Sequence, residues 1–251
     1  RRTLSRWCSR YGSALIENMR REGYELAISK PQVITKMIDG RKHEPLEEVV
    51  VEIPEAYSGT IISQLSLRQG EMIDMGEDRG MIKQVWKVPT RGLIGFRSDF
   101  INSTHGEGTM VRQYFGYEPY KGAIQQRQNG SMVSTEQGVS MAYSIFNLQE
   151  RGQFFIGVQT DVYEGMIVGI AARDTDMDIN PTKNKKQTAI RSTGRDEAMK
   201  LVPPIQLTLE YAIEFIRDDE LVEVTPNFIR LRKRFLKPHE RKQALRNNNE
   251  D

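Results

Sequence analysis

Arg230, Arg232 and Arg234 alternate with Ile229, Leu231 and Phe235 near the end of the chain. On a strand, alternate residues share one face at intervals of about 6.5–7 Å. Three guanidinium groups would then stand in a row, each able to fork to a phosphate, while the apolar residues anchor the other face. An edge strand blunted by charge is the competing structural explanation. A second set lies upstream. Lys183, Lys185, Lys186, Arg191 and Arg195, with the hydroxyl of Ser192 among them, occupy a run with no acidic residue. Such a mixture suits an arm that bonds RNA phosphates and 2′-hydroxyls. The run has no aromatic residue, so base stacking is not its main mode; a solvated loop is the alternative.

Other chemistry finds no constellation. The dipeptide Gly-Lys of a phosphate-binding loop is absent. Gly106-Glu107-Gly108 begins a dinucleotide-like pattern, but Val111 stands where the third glycine is required. His43, His105 and His239 are far apart, and none has a second His or Cys at metal-ligand spacing. Asp174, Asp176 and Asp178 resemble the start of a calcium loop, without the glycine and distal glutamate that complete one.

The elements that must position the basic residues fall into two textures. Val49, Val51 and Ile53 alternate as a strand, and Pro54 opens a helix with Tyr57, Ile61 and Leu65 on one face. Strands are expected over Glu71–Met75 and Met81–Val88. Thr90 is expected to cap a second helix carrying Leu93, Phe96 and Phe100, before a last strand over Thr109–Tyr117. The order β-α-β-β-α-β is the ferredoxin-like split βαβ. After Gly122 the chain reads as mixed and β-rich, with a short helix at Met141–Gln149 and a helix face at Leu209, Ile213 and Ile216. Asp174–Gly194 reads as a long, basic, aperiodic loop. The fold class is therefore α+β. Three segments are expected: 1–45, closing with a linker at Asp39–Pro45; 46–122, ferredoxin-like; and 123–251.

The chain of 251 residues has 36 Lys+Arg against 34 Asp+Glu, so its net charge of +2 hides strong segregation. Basic residues crowd Lys183–Lys200 and Ile229–Arg246, which points to one face for a polyanion. An acidic protein partner is the alternative, and a small-anion enzyme a second. No apolar run reaches the roughly 20 residues of a membrane helix. The single cysteine, Cys8, excludes an internal disulfide and fits a reducing compartment.

Several runs carry a resemblance. Leu15–Leu26, Ile38–Lys42, Arg91–Arg97, Arg127-Gln128-Asn129-Gly130, Val162-Tyr163-Glu164-Gly165 and Asp218–Pro226 are similar, in order and spacing, to the BipA/TypA family of translational GTPases. The resemblance implies the end of a third domain over 1–45, an elongation-factor-G-type fifth domain over 46–122, and the family's own C-terminal domain over 123–251. It implies a cytoplasmic, monomeric protein that binds the ribosome near the factor site. Its C-terminal domain would reach large-subunit rRNA and A-site tRNA near the peptidyl-transferase centre. Neither membrane nor DNA is expected as a partner. The family is linked to stress response and large-subunit assembly. Its ribosome-reaching loop corresponds to about Asn180–Glu197. Two departures stand out. The GTPase and second domains have no counterpart, so no GTP hydrolysis is expected here; GTP and magnesium belong to the missing GTPase domain, and no cofactor is expected in this chain. Arg1–Ser13 do not follow the family's Gly-Arg-Gly-Glu-Leu-His-Leu.

Overall fold

A computed structural model describes residues 9–78, 80–124, 127, 129–184 and 200–247. In chain order the first elements are α1 (Ser9–Arg21), β1 (Leu26–Ser29), β2 (Lys36–Ile38), β3 (Arg41–Pro54), α2 (Glu55–Leu67), β4 (Glu71–Asp78), β5 (Met81–Pro89), α3 (Phe96–Ser103) and β6 (Thr109–Pro119). There follow β7 (Ser131–Ser134), β8 (Gly138–Val139), α4 (Ala142–Leu148), β9 (Gly152–Phe154), β10 (Asp161–Val162), β11 (Met166–Ala171), β12 (Met177–Ile179), α5 (Leu209–Phe215), β13 (Glu220–Val224), β14 (Ile229–Lys233) and α6 (Pro238–Asn247). Two compact units result. One holds Arg1–Gly12 with Pro31–Gln126, the other Ser13–Lys30 with Arg127–Asp251. Among the described residues no helix is long and apolar enough to cross a membrane.

In the first unit β5 and β6 flank β3, and β4 lies outside β5, all antiparallel. With α2 and α3 as the crossovers, this is the ferredoxin-like order expected from the periodicity. Val49, Val51 and Ile53 of β3 and Ile82, Trp86 and Val88 of β5 pack against Ile61 and Leu65 of α2 and Phe96 and Phe100 of α3. Gln84 shares this core face. Its amide donates to Ser58 Oγ at 2.9 Å and its carbonyl accepts the Trp86 indole N–H at 3.0 Å, so burial leaves these groups satisfied. Glu44, fully buried, accepts two bonds from the Arg91 guanidinium, at 2.5 and 3.1 Å.

Two local expectations are corrected. Asp39–Pro45 is not a linker: Asp39 (φ 50) and Gly40 (φ 73) turn the β2–β3 hairpin, and Arg41–Pro45 already belong to β3. Left-handed conformation at both turn residues matches the right-handed twist of the strands. Thr90–Leu93 form one 3₁₀ turn, and α3 begins only at Phe96. Val111 and Phe115 of β6 lie 64% and 47% exposed, on a sheet face that no helix covers within this unit.

The second unit is a mixed sheet in the order β1-β13-β14-β11-β7-β12, with β9 also paired to β11. β12 runs parallel to β7 and the other pairs are antiparallel. β11, and Met132-Val133 at the centre of β7, are apolar on both faces. Val133 and Ile167 face α5, through Leu209, Ala212 and Ile213. Met132, Met166 and Val168 face the side of Ile145 of α4. A strand covered on both sides loses polar alternation, which explains the near-continuous run Met166–Ala171. α1 from Ser13 onward and β1 also belong to this unit. β1 extends the sheet beside β13, and Arg20 Nε donates to the Thr225 carbonyl at 2.9 Å.

Candidate nucleic-acid interface

The basic run leaves the described residues after Asn184 and re-enters at Lys200. Lys183 is exposed; Lys185, Lys186, Arg191, Ser192 and Arg195 lie outside the described residues. Both roots of the run are held by one short element. Ser144 Oγ of α4 donates to the Asn180 carbonyl at 2.6 Å, and Asn180 Oδ1 accepts from Thr182 N and Oγ1 at 2.9 and 2.8 Å. On the return side Gln149, the residue after α4, donates from Nε2 to Lys200 O at 3.0 Å and accepts from Val202 N at 3.1 Å. Ser144 and Gln149 escaped the sequence reading. Each is an ordinary polar residue whose role exists only once the chain folds.

The three arginines are not a simple row. β14 ends at Lys233, so Arg230 and Arg232 lie on the strand and Arg234 lies beyond it, exposed. Arg234 N–H donates to the Asp219 carbonyl at 2.8 Å, and Phe235 is 43% exposed rather than anchored. Nor is β14 an edge: it runs between β13 and β11. Arg232 Nε lies 2.6 Å from Glu223 Oε1, and the Tyr163 hydroxyl donates to Glu223 Oε2 at 2.5 Å. Burial, then the hydrogen bond and charge of Glu223, push Tyr163 above the usual phenol range, so it remains a neutral donor. Arg230 stacks on Phe228, with its guanidinium carbon 4.4 Å from the ring centroid.

Lys233, on the opposite face of β14, is 1% exposed. Its ammonium lies 2.5 Å from Asp176, 2.7 Å from Asp219 and 3.0 Å from Glu220. Ser131 adds a hydroxyl bond to Glu220 at 2.6 Å and a backbone N–H to Asp176 at 2.8 Å. Arg127 stacks on Phe215 at 3.7 Å and donates to the Phe215 carbonyl, the Asn129 carbonyl and Ser131 Oγ. Arg217 donates to the carbonyls of Arg127 and Asn129. This network ties the entry of the unit, the turn before β12, and β13 to β14. Asp176 and Asp178, whose spacing resembles only the start of a calcium loop, are ion-paired to Lys233 and Arg241.

The network fixes a pH dependence. Burial alone would raise Glu220 and Asp176, but Lys233, helped by Arg127 at Glu220 and by hydrogen bonds at both, holds them below their ordinary values of 4.5 and 3.8. Their contribution is complete above those values and is lost as pH falls through the depressed folded ones. Burial alone would lower Lys233, but Glu220, Asp176 and Asp219 hold it above its ordinary 10.5. Its contribution is complete below that value and is lost as pH rises through the raised one. Stability of the second unit is therefore expected to be level between about pH 5 and 10 and to fall on both sides. Urea midpoints followed by circular dichroism across pH check this. A midpoint that still climbs between pH 6 and 9 contradicts it.

Known proteins share this organisation. The family model described as elongation factor G C-terminus matches residues 41–128, and the model described as TypA/BipA C-terminal domain matches residues 129–238. The large ribosomal subunit assembly factor BipA of Escherichia coli (strain K12) is 48% identical over 236 residues, covering 93% of this chain and 39% of that protein. The proteins of the same name from Salmonella typhimurium and Haemophilus influenzae are each 47% identical, over 95% and 93% of the chain and 40% and 38% of their own lengths. The chain thus spans about two fifths of the curated relatives it matches. With both C-terminal domain types in tandem and nearly half its residues shared with these relatives, the chain belongs to the TypA/BipA family and carries that family's C-terminal part.

Proposed function

We propose that this chain is the RNA-contacting, ribosome-docking part of a large-subunit assembly factor. The observation that carries the reading is its 48% identity, over 93% of its length, to a curated factor of that name. In this reading the ferredoxin-like domain over 46–122 is the scaffold, and the domain over 123–251 presents the cationic surface near the factor site. The run from Lys183 to Arg195 reaches large-subunit rRNA and A-site tRNA near the peptidyl-transferase centre, with its two roots fixed through Ser144 and Gln149. Arg230 and Arg234 supply further positive charge beside it in function, while Arg232 is partly neutralised by Glu223. GTP and magnesium are handled by the portion of the parent protein outside this chain. The chain itself contributes docking, and the work is cytoplasmic.

Phosphate contacts release condensed counterions, so affinity falls as a power of the salt concentration. About six to nine contacts at roughly −0.7 to −0.9 each give an expected log–log slope of about −4 to −8. Co-sedimentation with purified large subunits from low to moderate salt measures it. A slope shallower than about −2, or capture from extract that survives ribonuclease, assigns the basic surface to an acidic protein and sinks the proposal.

A further inference from the structure

β11 and β14 are paired at only two positions, Met166 with Arg232 and Ile167 with Leu231. Beyond them β11 takes β9 as its partner, through Gly169 with Phe154, while β14 continues beside β13 to Ile229. The sheet therefore opens between β9 and the first half of β14. The opening is a pocket of about 170 Å³ with apolar walls that include Phe155, Ile156, Met166 and Leu207. Phe228 and Arg230 also line it. Phe228 is 52% exposed, so it stands at the open end, and the Arg230 guanidinium lies over its ring.

We propose that this pocket takes one unpaired base of the RNA, stacked at the Phe228–Arg230 pair. The proposal rests on the RNA-binding reading above and gives it a subsite. Three observations converge on that occupant. The volume admits one flat ring system and falls short of the roughly 300–1,000 Å³ of drug-sized ligand sites. Aromatic rings and guanidinium planes are the surfaces on which splayed RNA bases stack. The charge decides between a base and an apolar protein side chain. A nucleotide brings a phosphate to Arg230, whose cross-strand neighbour Glu223 is already engaged by Arg232 and Tyr163, whereas an aliphatic side chain brings that cation no charge. The basic run itself has no aromatic residue, so this pair supplies the stacking that the run lacks.

The test uses the full chain and two fluorescent octaribonucleotides, one of adenosines and one with the same backbone but abasic. Anisotropy at low salt should give about tenfold tighter binding of the base-bearing strand, within the range of one stacked base. Phe228→Ala should reduce that preference to about twofold or less and leave the abasic affinity and the salt slope unchanged. Gly157→Leu offers an independent check from a second lining residue. Gly157 lines the pocket and a Cβ there meets nothing within 4 Å, so a leucine can be accommodated at its mouth without displacing backbone. It should abolish the preference as well. Thermal melting of both variants confirms that they fold. Equal binding of the two strands by the unaltered chain overturns the base pocket and leaves the RNA reading standing. A preference that survives both substitutions places stacking elsewhere and also overturns it. Binding of neither strand overturns the RNA reading itself.

Discussion

Replacing Lys233 with methionine is expected to destabilise the second unit by about 3–5 kcal/mol, because it leaves a buried carboxylate cluster without its cation. The side chain is 1% exposed, and Glu220 beside it is fully buried. Methionine matches the length of the lysine stem but cannot donate, so the loss is electrostatic rather than a cavity. Glu220 and Asp176 would then repel one another or take up protons near neutral pH. Adding Glu220→Gln to the variant should recover part of the loss, since it removes the most deeply buried charge of the cluster. Asp219→Asn should cost under about 1 kcal/mol, because that carboxylate is 58% exposed and water screens it. Urea unfolding followed by circular dichroism gives the magnitudes, and hydrogen exchange locates them. Amides of β13 and β14 should lose protection while those of β3 and β5 keep theirs. A loss below about 1 kcal/mol for Lys233→Met would show that the network stabilises little. In that case the alkaline limb of the pH profile should be missing too.

The motifs that carry the family likeness turn out to be largely parts of this scaffold. Arg127 and Asn129 strap the entry of the second unit. Tyr163 bonds Glu223, and Asp219 and Glu220 hold Lys233. Gly165 (φ 84) passes so close to the Leu236 backbone that a Cβ has no room. Arg91 pairs with the buried Glu44. The most distinctive sequence runs therefore build the internal framework of each unit.

What could be read without coordinates was whatever local periodicity encodes. Val49, Val51 and Ile53 alternate, and Ile61 and Leu65 repeat every four residues, so the ferredoxin-like unit was legible almost element by element. Asp39-Gly40 was misassigned because the same turn formers serve linkers and hairpins. β12 was hidden inside a polar stretch, since three residues are too few to show a period. The Lys233 network could not be read either. Asp176, Ser131 and Glu220 meet it only through sheet pairing, and Arg127 and Glu220 are 93 positions apart. The same holds for Gln149, whose partners lie 51 and 53 residues away. As for the candidate interface, charge alone selected Lys183–Arg195 and the Arg230 strand. Charge could not reveal that Glu223 engages Arg232.

Reversing three charges of the basic run, with Lys185, Lys186 and Arg191 all changed to glutamate, is expected to weaken large-subunit binding by at least about a hundredfold at 0.1 M salt. Each phosphate contact carries about 0.7–0.9 log units at that concentration, so losing three removes roughly a hundred- to five-hundredfold before any repulsion is added. The log–log salt slope should shallow by about 2–3 at the same time. The corresponding glutamine variant separates the two effects: it should show the same change of slope with a smaller loss of affinity. Gln149→Ala provides the structural control. It keeps every charge but frees the return root at Lys200 and Val202. A root that no longer directs the run raises its ordering cost on binding. Affinity should therefore drop by several-fold with the slope unchanged, a signature that loss of charge cannot produce. Should the triple variant bind as the unaltered chain does while Arg230→Glu with Arg234→Glu does not, the phosphate contacts lie on the β14 side and the run is not the anchor. Should neither set matter, electrostatic docking through this domain is wrong, and the open β6 face around Val111 and Phe115 becomes the surface to test next.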